Sequence, residues 1–499
     1  MAPFFRSGPW GLYTSRSERM KKVRMKPSLW KAIVMRGMKI LNILIGTGLF
    51  ILCWREFYRE TYVPISWEAG TAIVLFYVVL LILLKRIYNA YDVGGSRVSE
   101  LIYSLCLADV IADGILYVVF AMSMFRIPYI VPFFLLIFVQ AMWNAVWSFM
   151  ANRLYFQIHK PKATAIIYKE DNDLHKLEEI QYFTSKFNVQ KYIKDPKDDI
   201  HKLIEEIRDY DVVFVSGVAA TLRNGIAKYY VEEGVQGYIA PHVGDIIMAG
   251  ARHMQMFSVP IMRIRRAHLT PEYMFVKRAF DIIASLIAII VTSPFMLITA
   301  IAIKAYDHGP VIYRQVRLTK DGKKFEIMKF RSMKVNAEKD GVARLASEHD
   351  DRITPVGHII RACRLDELPQ LFNILKGDMT IVGPRPERPE IAAQYQEEMP
   401  SFVLRLQVKA GLTGFAQIYG RYNSTPYDKL QMDLMYINKM SVAEDLKLMF
   451  ATVKVLFMKE STSGVQDGQV TASAGSAESQ LESVDVEMAG VKKASKESA

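Results

Sequence analysis

Long apolar runs separated by short polar and basic segments dominate the first third of the chain. The runs lie at residues 40–54, 69–84, 101–125 and 129–150. Each approaches the ~20 residues that cross a bilayer as a helix. Basic residues follow the second and the fourth run and fill the N-terminus, residues 1–39. The positive-inside rule therefore predicts four transmembrane helices over residues 40–152, with the basic N-terminus in the cytoplasm.

Two acids interrupt the third run. Asp109 and Asp113 stand four residues apart, so a helix places both carboxylates on one face. Ionisable groups inside a membrane are costly and often functional. A polar contact between packed helices, or a shallow position in the bilayer, explains the pair equally well. The sequence leaves the role of both acids open.

The hydrophobic pattern changes to that of an α/β module over residues 153–268. Short apolar runs at residues 165–168 and 212–215 predict buried strands, and amphipathic patterns at 199–209 and 220–233 predict helices. This alternation favours a Rossmann-like cytoplasmic module. No G-x-G-x-x-G motif follows the first strand, so the dinucleotide fingerprint is absent and we expect a structural or regulatory role.

A fifth apolar segment, residues 279–303, is bracketed by basic residues and interrupted by Ser293 and Pro294. Pro294 removes one hydrogen bond from a helical ladder. The ~13 apolar residues before the interruption reach only ~20 Å into a hydrocarbon core about 30 Å thick. The pattern therefore predicts a helix–break–helix hairpin that enters one leaflet and returns, with the break at Ser293 and Pro294. A kinked helix that crosses the bilayer completely is the alternative.

Candidate chemistry concentrates downstream of this segment. Two adjacent acids, Asp366 and Glu367, open a predicted helix over residues 365–375, with Pro369 in its first turn. Cations flank the acids on both sides: Lys329, Arg331, Arg361 and Arg385. A carboxylate pair among cations suits phosphate chemistry, in which the acids supply a nucleophile or a metal ligand and the cations hold the oxyanions.

The predicted helix start bears on how the two acids differ. Exposed amides and the macrodipole at a helix N-terminus stabilise negative charge, so we expect Asp366 to stay ionised. Neighbouring helical residues point about 100° apart, so Asp366 and Glu367 cannot easily share one proton. Different roles are therefore expected for the two carboxylates.

These residues, together with Val382-Gly383-Pro384-Arg385-Pro386 and Gly411-Leu412-Thr413-Gly414, resemble the motifs of the bacterial sugar transferase family. That family comprises monotopic polyprenyl-phosphate phosphoglycosyl transferases. The long N-terminal half resembles its large members, which initiate exopolysaccharide or capsule synthesis. The resemblance covers residues 273–458 and implies a mixed α/β catalytic domain there, held by the re-entrant hairpin 279–303 in the bacterial inner (cytoplasmic) membrane and facing the cytoplasm.

The resemblance also implies a reaction. A hexose 1-phosphate would pass from a UDP-sugar to polyprenyl (undecaprenyl) phosphate through an aspartyl-phosphosugar intermediate on Asp366, with release of UMP. Glu367 would bind Mg²⁺. Substrate-binding residues would include the flanking cations and two acids near the C-terminal end: Lys329, Arg331, Arg361, Arg385, Asp433 and Asp445. For Asp433 and Asp445, helix capping or salt bridging is an equal candidate.

Composition agrees with a membrane protein and excludes other classes. The chain has 499 residues, is 51% hydrophobic and carries a net charge of +12. The basic balance suits anionic lipid, and no recognisable nucleic-acid module is present, so we expect no nucleic-acid partner. Three cysteines without metal-ligand spacing are typical of a reduced, cytoplasm-facing protein. The tail, residues 459–499, lacks aromatic residues and is predicted to be disordered.

Several questions stay open from the sequence. It does not say which sugar is transferred, or whether the chain forms a homodimer. A sugar-nucleotide epimerase or dehydratase built on the middle module is one rival function class. A non-catalytic membrane scaffold or lipid transporter is the other. Bound nicotinamide would favour the first rival, and a lack of divalent-dependent UMP release would favour the second.

Overall fold

The computed structural model describes residues 29–59, 67–125, 127–171, 173–174, 177, 186–196, 199–267, 269–335, 350, 352–420 and 425–456. The first 28 residues and the tail, residues 459–499, lie outside the described residues. The cytoplasmic location of the N-terminus and the disorder of the tail therefore stay predictions. The chain divides into two compact units. One holds Met1–Lys162 with Ile180–Asn188, and the other holds Ala163–Glu179 with Val189–Ala499.

Long apolar helices make up the described part of the first unit. They are α1 (Leu29–Trp54), α2 (Trp67–Ile87), α3 (Val98–Met124) and α4 (Val131–Ile158). Leu81, Leu101 and Trp147 are buried between the helices, whereas Leu83 and Phe138 are among many apolar side chains that face outward. Helices that are apolar on both sides are typical of a membrane bundle. Within the described residues, five helices are long and apolar enough to cross a bilayer: these four and one at Pro271–Asp307.

An α/β module follows the helices. Its elements are β1 (Lys162–Tyr168), β2 (Phe187–Lys194), α5 (Ile200–Ile207), β3 (Val212–Val215), α6 (Ala220–Glu233) and β4 (Gln236–Ile239). The strand order is β2-β1-β3-β4, and β3 pairs in parallel with both β1 and β4. Strand β3 is buried along its whole length, as expected of an unbroken apolar run in a parallel sheet.

A short helix and a hairpin end this part of the chain. Helix α7 (Val243–Ala249) is followed by the antiparallel strands β5 (Arg252–Met256) and β6 (Val259–Arg263). The side chains of His242 and Asp245 form a reciprocal capping box at the start of α7.

One long helix, α8 (Pro271–Asp307), contains the fifth apolar segment. It is continuous at Pro294, so the two separate helices expected from the sequence form one helical segment. The Ser293 hydroxyl donates to the carbonyl of Ile290 at 2.8 Å, and this is the carbonyl that Pro294 leaves without an amide donor. The replaced hydrogen bond accounts for the continuity of the helix. That the segment enters one leaflet and leaves the membrane on the side from which it entered stays a prediction.

The C-terminal domain, from Pro271 to Leu456, packs α8 with small sheets and short helices. The further strands are β7 (Ile312–Leu318), β8 (Lys324–Phe330), β9 (Thr380–Val382) and β10 (Gly411–Thr413). The further helices are α9 (Pro355–Ala362), α10 (Gln370–Lys376), α11 (Pro389–Glu398), a 3₁₀ helix (Pro400–Gln407), α12 (Phe415–Tyr419), α13 (Pro426–Lys439) and α14 (Val442–Leu456). Strands β7 and β8 are antiparallel, and β9 and β10 are parallel. The domain is therefore mixed α/β.

Helix α7 belongs to the core of this domain. Ile246 on α7 is 4% exposed and packs in one cluster with Ile374, Met379 and Leu434. The Asn438 side chain on α13 donates to the Ile246 carbonyl at 2.6 Å. A boundary drawn between residues 268 and 273, as the sequence suggests, therefore separates residues that share one core.

Candidate active site

The two adjacent acids lie in a 3₁₀ turn, Leu365–Glu367, in front of α10 rather than in its first turn. Pro369 is the N-cap residue of α10 and has no amide hydrogen to donate to Leu365. The turn closes instead through the Leu368 amide, which donates to the Leu365 carbonyl at 3.2 Å. Arg364, just before the turn, has a left-handed backbone with φ 56°. Non-glycine residues in that region are strained and are frequent at functional sites.

Glu367 is held between two of the cations predicted to bind substrate. Lys329 Nζ donates to Glu367 Oε1 at 2.7 Å, and Arg385 Nη2 lies 3.6 Å from the same oxygen. Burial alone would raise the pKa of Glu367, but the charges of Lys329 and Arg385 hold that pKa well below its usual value. Glu367 is therefore a carboxylate at neutral pH. Its second oxygen, Oε2, has no partner among the described residues.

Asp366 makes no hydrogen bond or ion pair within the described part of the chain. Burial, and then the negative charge of Glu367, raise the pKa of Asp366 to about 6. Three cations oppose this rise: Lys329, Arg361 and Arg364. The helix N-terminus does not keep this pKa low, because the acid precedes the helix and burial outweighs the dipole. At neutral pH Asp366 is still mainly ionised, and its oxygens are free to react.

Arg385 is presented by a loop with a proline on each side, and a second arginine holds that loop from behind. Arg405 is 3% exposed, and its Nη2 donates to the Arg385 carbonyl at 3.0 Å. Its Nε donates to Asp433 Oδ2 at 2.9 Å, and its Nη1 donates to Glu387 Oε1 at 3.3 Å. The rigid guanidinium fork thus joins the loop to α13 and fixes the position from which Arg385 reaches Glu367.

Arg405 and Glu387 were missed by the sequence reasoning. Asp433 gave a partial signal, because it falls between Leu430 and Leu434 on the buried side of α13. An acid in that position requires a buried cation. The spacing does not say which cation, since Arg405 lies 28 residues away and reaches Asp433 only through the fold.

The second C-terminal acid, Asp445, lies in a different cluster. It accepts hydrogen bonds from Lys277 Nζ and the Tyr273 hydroxyl, both at 2.8 Å, and from the Tyr436 hydroxyl at 2.7 Å. These bonds fasten the start of α8 to α13 and α14. Salt bridging, left open by the sequence, describes the contacts of Asp445 and Asp433. A direct role of either acid in substrate binding stays a prediction.

The two remaining predicted cations lie at the border of the site. Arg331 is buried and pairs with Asp307 at the end of α8 rather than with the acid pair. Arg361, in the last turn of α9, makes no ion pair among the described residues, but its charge lowers the pKa of Asp366. The structure therefore brings Lys329 and Arg385 into contact with the acid pair and leaves Arg331 and Arg361 around it.

Helix α8 holds the segment that follows the acid pair. Arg278 donates from Nη1 to the Ile374 carbonyl at 2.6 Å and from Nη2 to the Leu375 carbonyl at 2.7 Å. These are among the last carbonyls of α10, where amide donors from the next turn run out; the Ile374 carbonyl also accepts from the C-cap amide of Gly377 at 3.0 Å. Asp281 is buried and accepts from Thr380 Oγ1 at 2.6 Å. The apolar helix is thus bonded to both elements that come directly after the acids.

The carboxylate oxygens of Asp366 and Glu367 are too few to hold a divalent ion alone. They fit such an ion only if the substrate supplies further ligands. Within the described residues, no group of three or more His, Cys, Asp or Glu side chains surrounds a common point. Glu367 Oε2 and the Asp366 carboxylate are nevertheless free. Mg²⁺ is commonly held by one or two carboxylates plus substrate phosphate oxygens. A cation there would also offset the repulsion that raises the pKa of Asp366.

Comparisons with known proteins point to the same region. The sequence profile of the family described as Bacterial sugar transferase matches residues 272–459. A UDP-N-acetylgalactosamine-undecaprenyl-phosphate N-acetylgalactosaminephosphotransferase from Aeromonas hydrophila is 43% identical over 190 residues, or 38% of this chain and 45% of the relative. A UDP-glucose:undecaprenyl-phosphate glucose-1-phosphate transferase from Klebsiella pneumoniae is 39% identical over 226 residues, or 44% of this chain and 48% of the relative.

A shorter relative is matched over most of its length. The UDP-glucose:undecaprenyl-phosphate glucose-1-phosphate transferase from Caulobacter vibrioides is 38% identical over 185 residues, or 36% of this chain and 69% of the relative. The fold and the site define a membrane-associated protein with an acidic pair among cations suited to phosphate. The chain belongs to the bacterial sugar transferase family. It spans about half the length of the first two relatives, whose names give different sugars.

Proposed function

We propose that this protein is a phosphoglycosyl transferase of the cytoplasmic membrane. It moves a hexose 1-phosphate from a UDP-sugar to undecaprenyl phosphate, releases UMP and so starts an exopolysaccharide or capsule repeat unit. The names of its relatives support the donor and acceptor classes. The observation that carries the proposal is the acid pair, in which the free Asp366 carboxylate stands beside a Glu367 held by Lys329 and Arg385.

Asp366 is the nucleophile of the first step. One of its oxygens attacks the β-phosphorus of the UDP-sugar, and the bond from that phosphorus to the bridging oxygen breaks. The electron pair leaves with UMP, and the sugar phosphate stays on Asp366 as an acyl phosphate. Lys329 and Arg385 meet the phosphate oxygens, because both guanidinium and ammonium groups form strong charge-assisted bonds to such anions.

The lipid accepts the sugar phosphate in the second step. An oxygen of undecaprenyl phosphate attacks the phosphorus held by Asp366, and the bond to the carboxylate breaks. This restores Asp366 and yields a polyprenyl diphosphate-linked sugar. Glu367, through Oε2, would hold Mg²⁺ together with substrate oxygens, and the ion would supply positive charge that offsets the phosphate oxygens.

The second step requires the site at the membrane surface, and α8 supports that position. One face of α8 packs on the C-terminal domain both before and after Pro294: Ala284, Ala288 and Ile289, then Ala300 and Ile303. The opposite face is apolar and exposed, for example at Ile290 (70%) and Leu297 (63%). A complete crossing would draw the polar domain into lipid along with the helix. We therefore infer that α8 enters one leaflet and keeps the C-terminal domain in the cytoplasm, where nucleotide-sugars are.

The test uses the purified full-length protein with Mg²⁺, undecaprenyl phosphate and a set of UDP-sugars, with UMP as the readout. We expect Asp366→Asn to abolish UMP release, because an amide cannot form the acyl phosphate. Asp321→Asn is the matched control, since Asp321 lies at the surface in a left-handed turn that Asn tolerates. It should keep the wild-type rate.

The covalent step has its own readout. Wild-type protein given the UDP-sugar without lipid should carry the mass of one sugar phosphate on the peptide that contains Asp366. Full activity of the Asp366→Asn variant would refute the assigned nucleophile. If no UDP-sugar gives UMP with the wild-type protein, the scaffold or lipid-transporter reading replaces the enzyme.

A further inference from the structure

The first unit buries polar side chains on all four of its helices, and the proposed reaction uses none of them. Asn42, Lys85, Asp109 and Asn144, one from each helix, are at most 3% exposed. Lys85 Nζ lies 3.0 Å from Asp109 Oδ1 and donates to Asn42 Oδ1 at 2.9 Å. Asn144 donates to Asp109 Oδ2 at 2.6 Å and accepts from Asn42 at 3.2 Å. One cation, one anion and two amides thus form a neutral group, which we call the paired layer.

A second polar group lies one turn along α3 and α4 from the paired layer. Its members Tyr77, Asp113 and Gln140 are at most 2% exposed. The Tyr77 hydroxyl donates to Asp113 Oδ1 at 2.8 Å, and the Gln140 amide donates to the Tyr77 oxygen at 3.1 Å. The remaining oxygens, Asp113 Oδ2 and Gln140 Oε1, are buried and have no hydrogen-bond donor among the described residues. Two buried acceptors without a donor require an explanation.

No neighbouring positive charge is left to pair with an ionised Asp113. The titratable groups that interact with it are Cys53 on α1, Tyr77 and Lys85 on α2, and Asp109 on α3. Helix α4 contributes the neutral Gln140. Lys85 is already bonded within the paired layer, where it balances Asp109. An ionised Asp113 would therefore be an uncompensated charge in an apolar bundle, which is strongly unfavourable.

We propose that Asp113 binds a proton, so that the bundle contains a proton-binding site completed by Tyr77 and Gln140. A hydrogen on Asp113 Oδ2 removes the buried charge and turns an oxygen that has no donor into a donor itself. Asp109 stays ionised, because Lys85 forms an ion pair with it and Asn144 donates a hydrogen bond to it. The two acids of α3, alike in the sequence, thus have opposite charge states.

Infrared spectroscopy tests the charge state directly. The full-length protein is measured in a detergent without ester carbonyls, where the C=O stretching band of a protonated carboxyl group stands apart from the amide and carboxylate bands. We expect such a band in the wild-type spectrum, its loss in Asp113→Asn, and its retention in Asp109→Asn. A wild-type spectrum without the band overturns the proposal even if a variant fails to fold.

The unfolding temperatures of variants give a second test of the different charge states of Asp109 and Asp113. All six tryptophans lie at or before residue 147, so tryptophan fluorescence follows unfolding of the helical unit. Asp113→Asn should unfold at the wild-type temperature, because the amide replaces the O–H donor. Asp109→Asn should lower that temperature, because it leaves Lys85 unpaired, and adding Lys85→Met should restore it. Equal destabilisation by Asp109→Asn and Asp113→Asn would overturn the proposal.

A bound metal cation is the competing occupant, and salt exchange identifies it. The wild-type unfolding temperature is measured in NaCl, KCl and choline chloride at equal ionic strength. We expect no difference, because a proton is already bound. A rise in NaCl or KCl that Asp113→Asn abolishes would assign the site to that cation and refute the protonated state.

Discussion

Replacement of Arg405 by Met tests how the candidate site is held together. Arg405 is bonded to Asp433, to Glu387 and to the backbone of Arg385, and its guanidinium stacks 4.8 Å above the ring of Phe402. The methionine keeps an apolar stem of similar length but makes none of these polar bonds. Asp433, which is 1% exposed, is then left without its cation.

The expected cost follows from that burial. Removal of one partner of a buried ion pair costs about 3–5 kcal/mol, because the other charge stays buried and unpaired. In a domain of this size 1 kcal/mol lowers the Tm by roughly 2–4 °C, so we expect Arg405→Met to lower it by roughly 6–20 °C. The Arg385 loop also loses its anchor. Turnover should therefore fall even at temperatures where the variant is folded.

Circular dichroism and limited proteolysis are the suitable assays, because the tryptophans all lie outside the C-terminal domain. Arg314→Met is the matched control: Arg314 pairs with Glu326 at 3.4 Å, and both side chains are at least 60% exposed. Exposed pairs contribute about 0–1 kcal/mol. If Arg405→Met and Arg314→Met shift the Tm equally, the buried network does not support the domain as we argue.

Three further predictions follow from the site and its surroundings. UMP release should fall as pH drops through about 6, because Asp366 takes up a proton there. Glu367→Gln should move this fall in rate to lower pH, and Lys329→Met should move it to higher pH. Unchanged pH–rate profiles of the two variants would contradict the argument. Cysteines placed at Lys323 or Lys439, in a chain without its three natural cysteines, should react with an impermeant reagent only after cells are permeabilised; labelling of intact cells would mean that α8 crosses the bilayer. Ile246→Ala should destabilise the C-terminal domain by about 2–5 kcal/mol, whereas Ile264→Ala, at a 53% exposed position, should cost far less by the same unfolding assay.

Local features of the site were predictable where they depend on neighbours in sequence. The adjacency of Asp366 and Glu367, and the start of a helix near Pro369, are visible in the sequence itself. The pKa of Asp366, which depends on burial and on nearby charges, is not visible in the sequence. Because Pro369 cannot donate to Leu365, the acids fall in a separate turn, and burial together with Glu367 then decides the pKa of Asp366.

Partners distant in sequence could not be assigned for the same reason. Arg331 stands two residues from Lys329, yet Lys329 meets Glu367 while Arg331 pairs with Asp307. Strand geometry alone places both side chains on one face. The strand pairing continues to Arg331, whose amide donates to the Val311 carbonyl at 2.9 Å, so strand geometry does not separate the two cations. The distinction depends on which acid the fold brings to each side chain: Glu367 before α10 for Lys329, and Asp307 at the end of α8 for Arg331.

Helix α8, which is long and apolar enough to cross a membrane, contacts the surroundings of the acid pair from both of its ends. Near its start, Arg278 and Asp281 hold α10 and β9, the two elements that follow the acids. At its end, Asp307 pairs with Arg331, next to the end of the strand that carries Lys329. A displacement of α8 relative to the rest of the C-terminal domain would therefore act on both sides of the acid pair. In the proposed reaction, the helix that we infer to lie at the lipid acceptor thus also positions the carboxylate that attacks the soluble donor and the cation that binds Glu367.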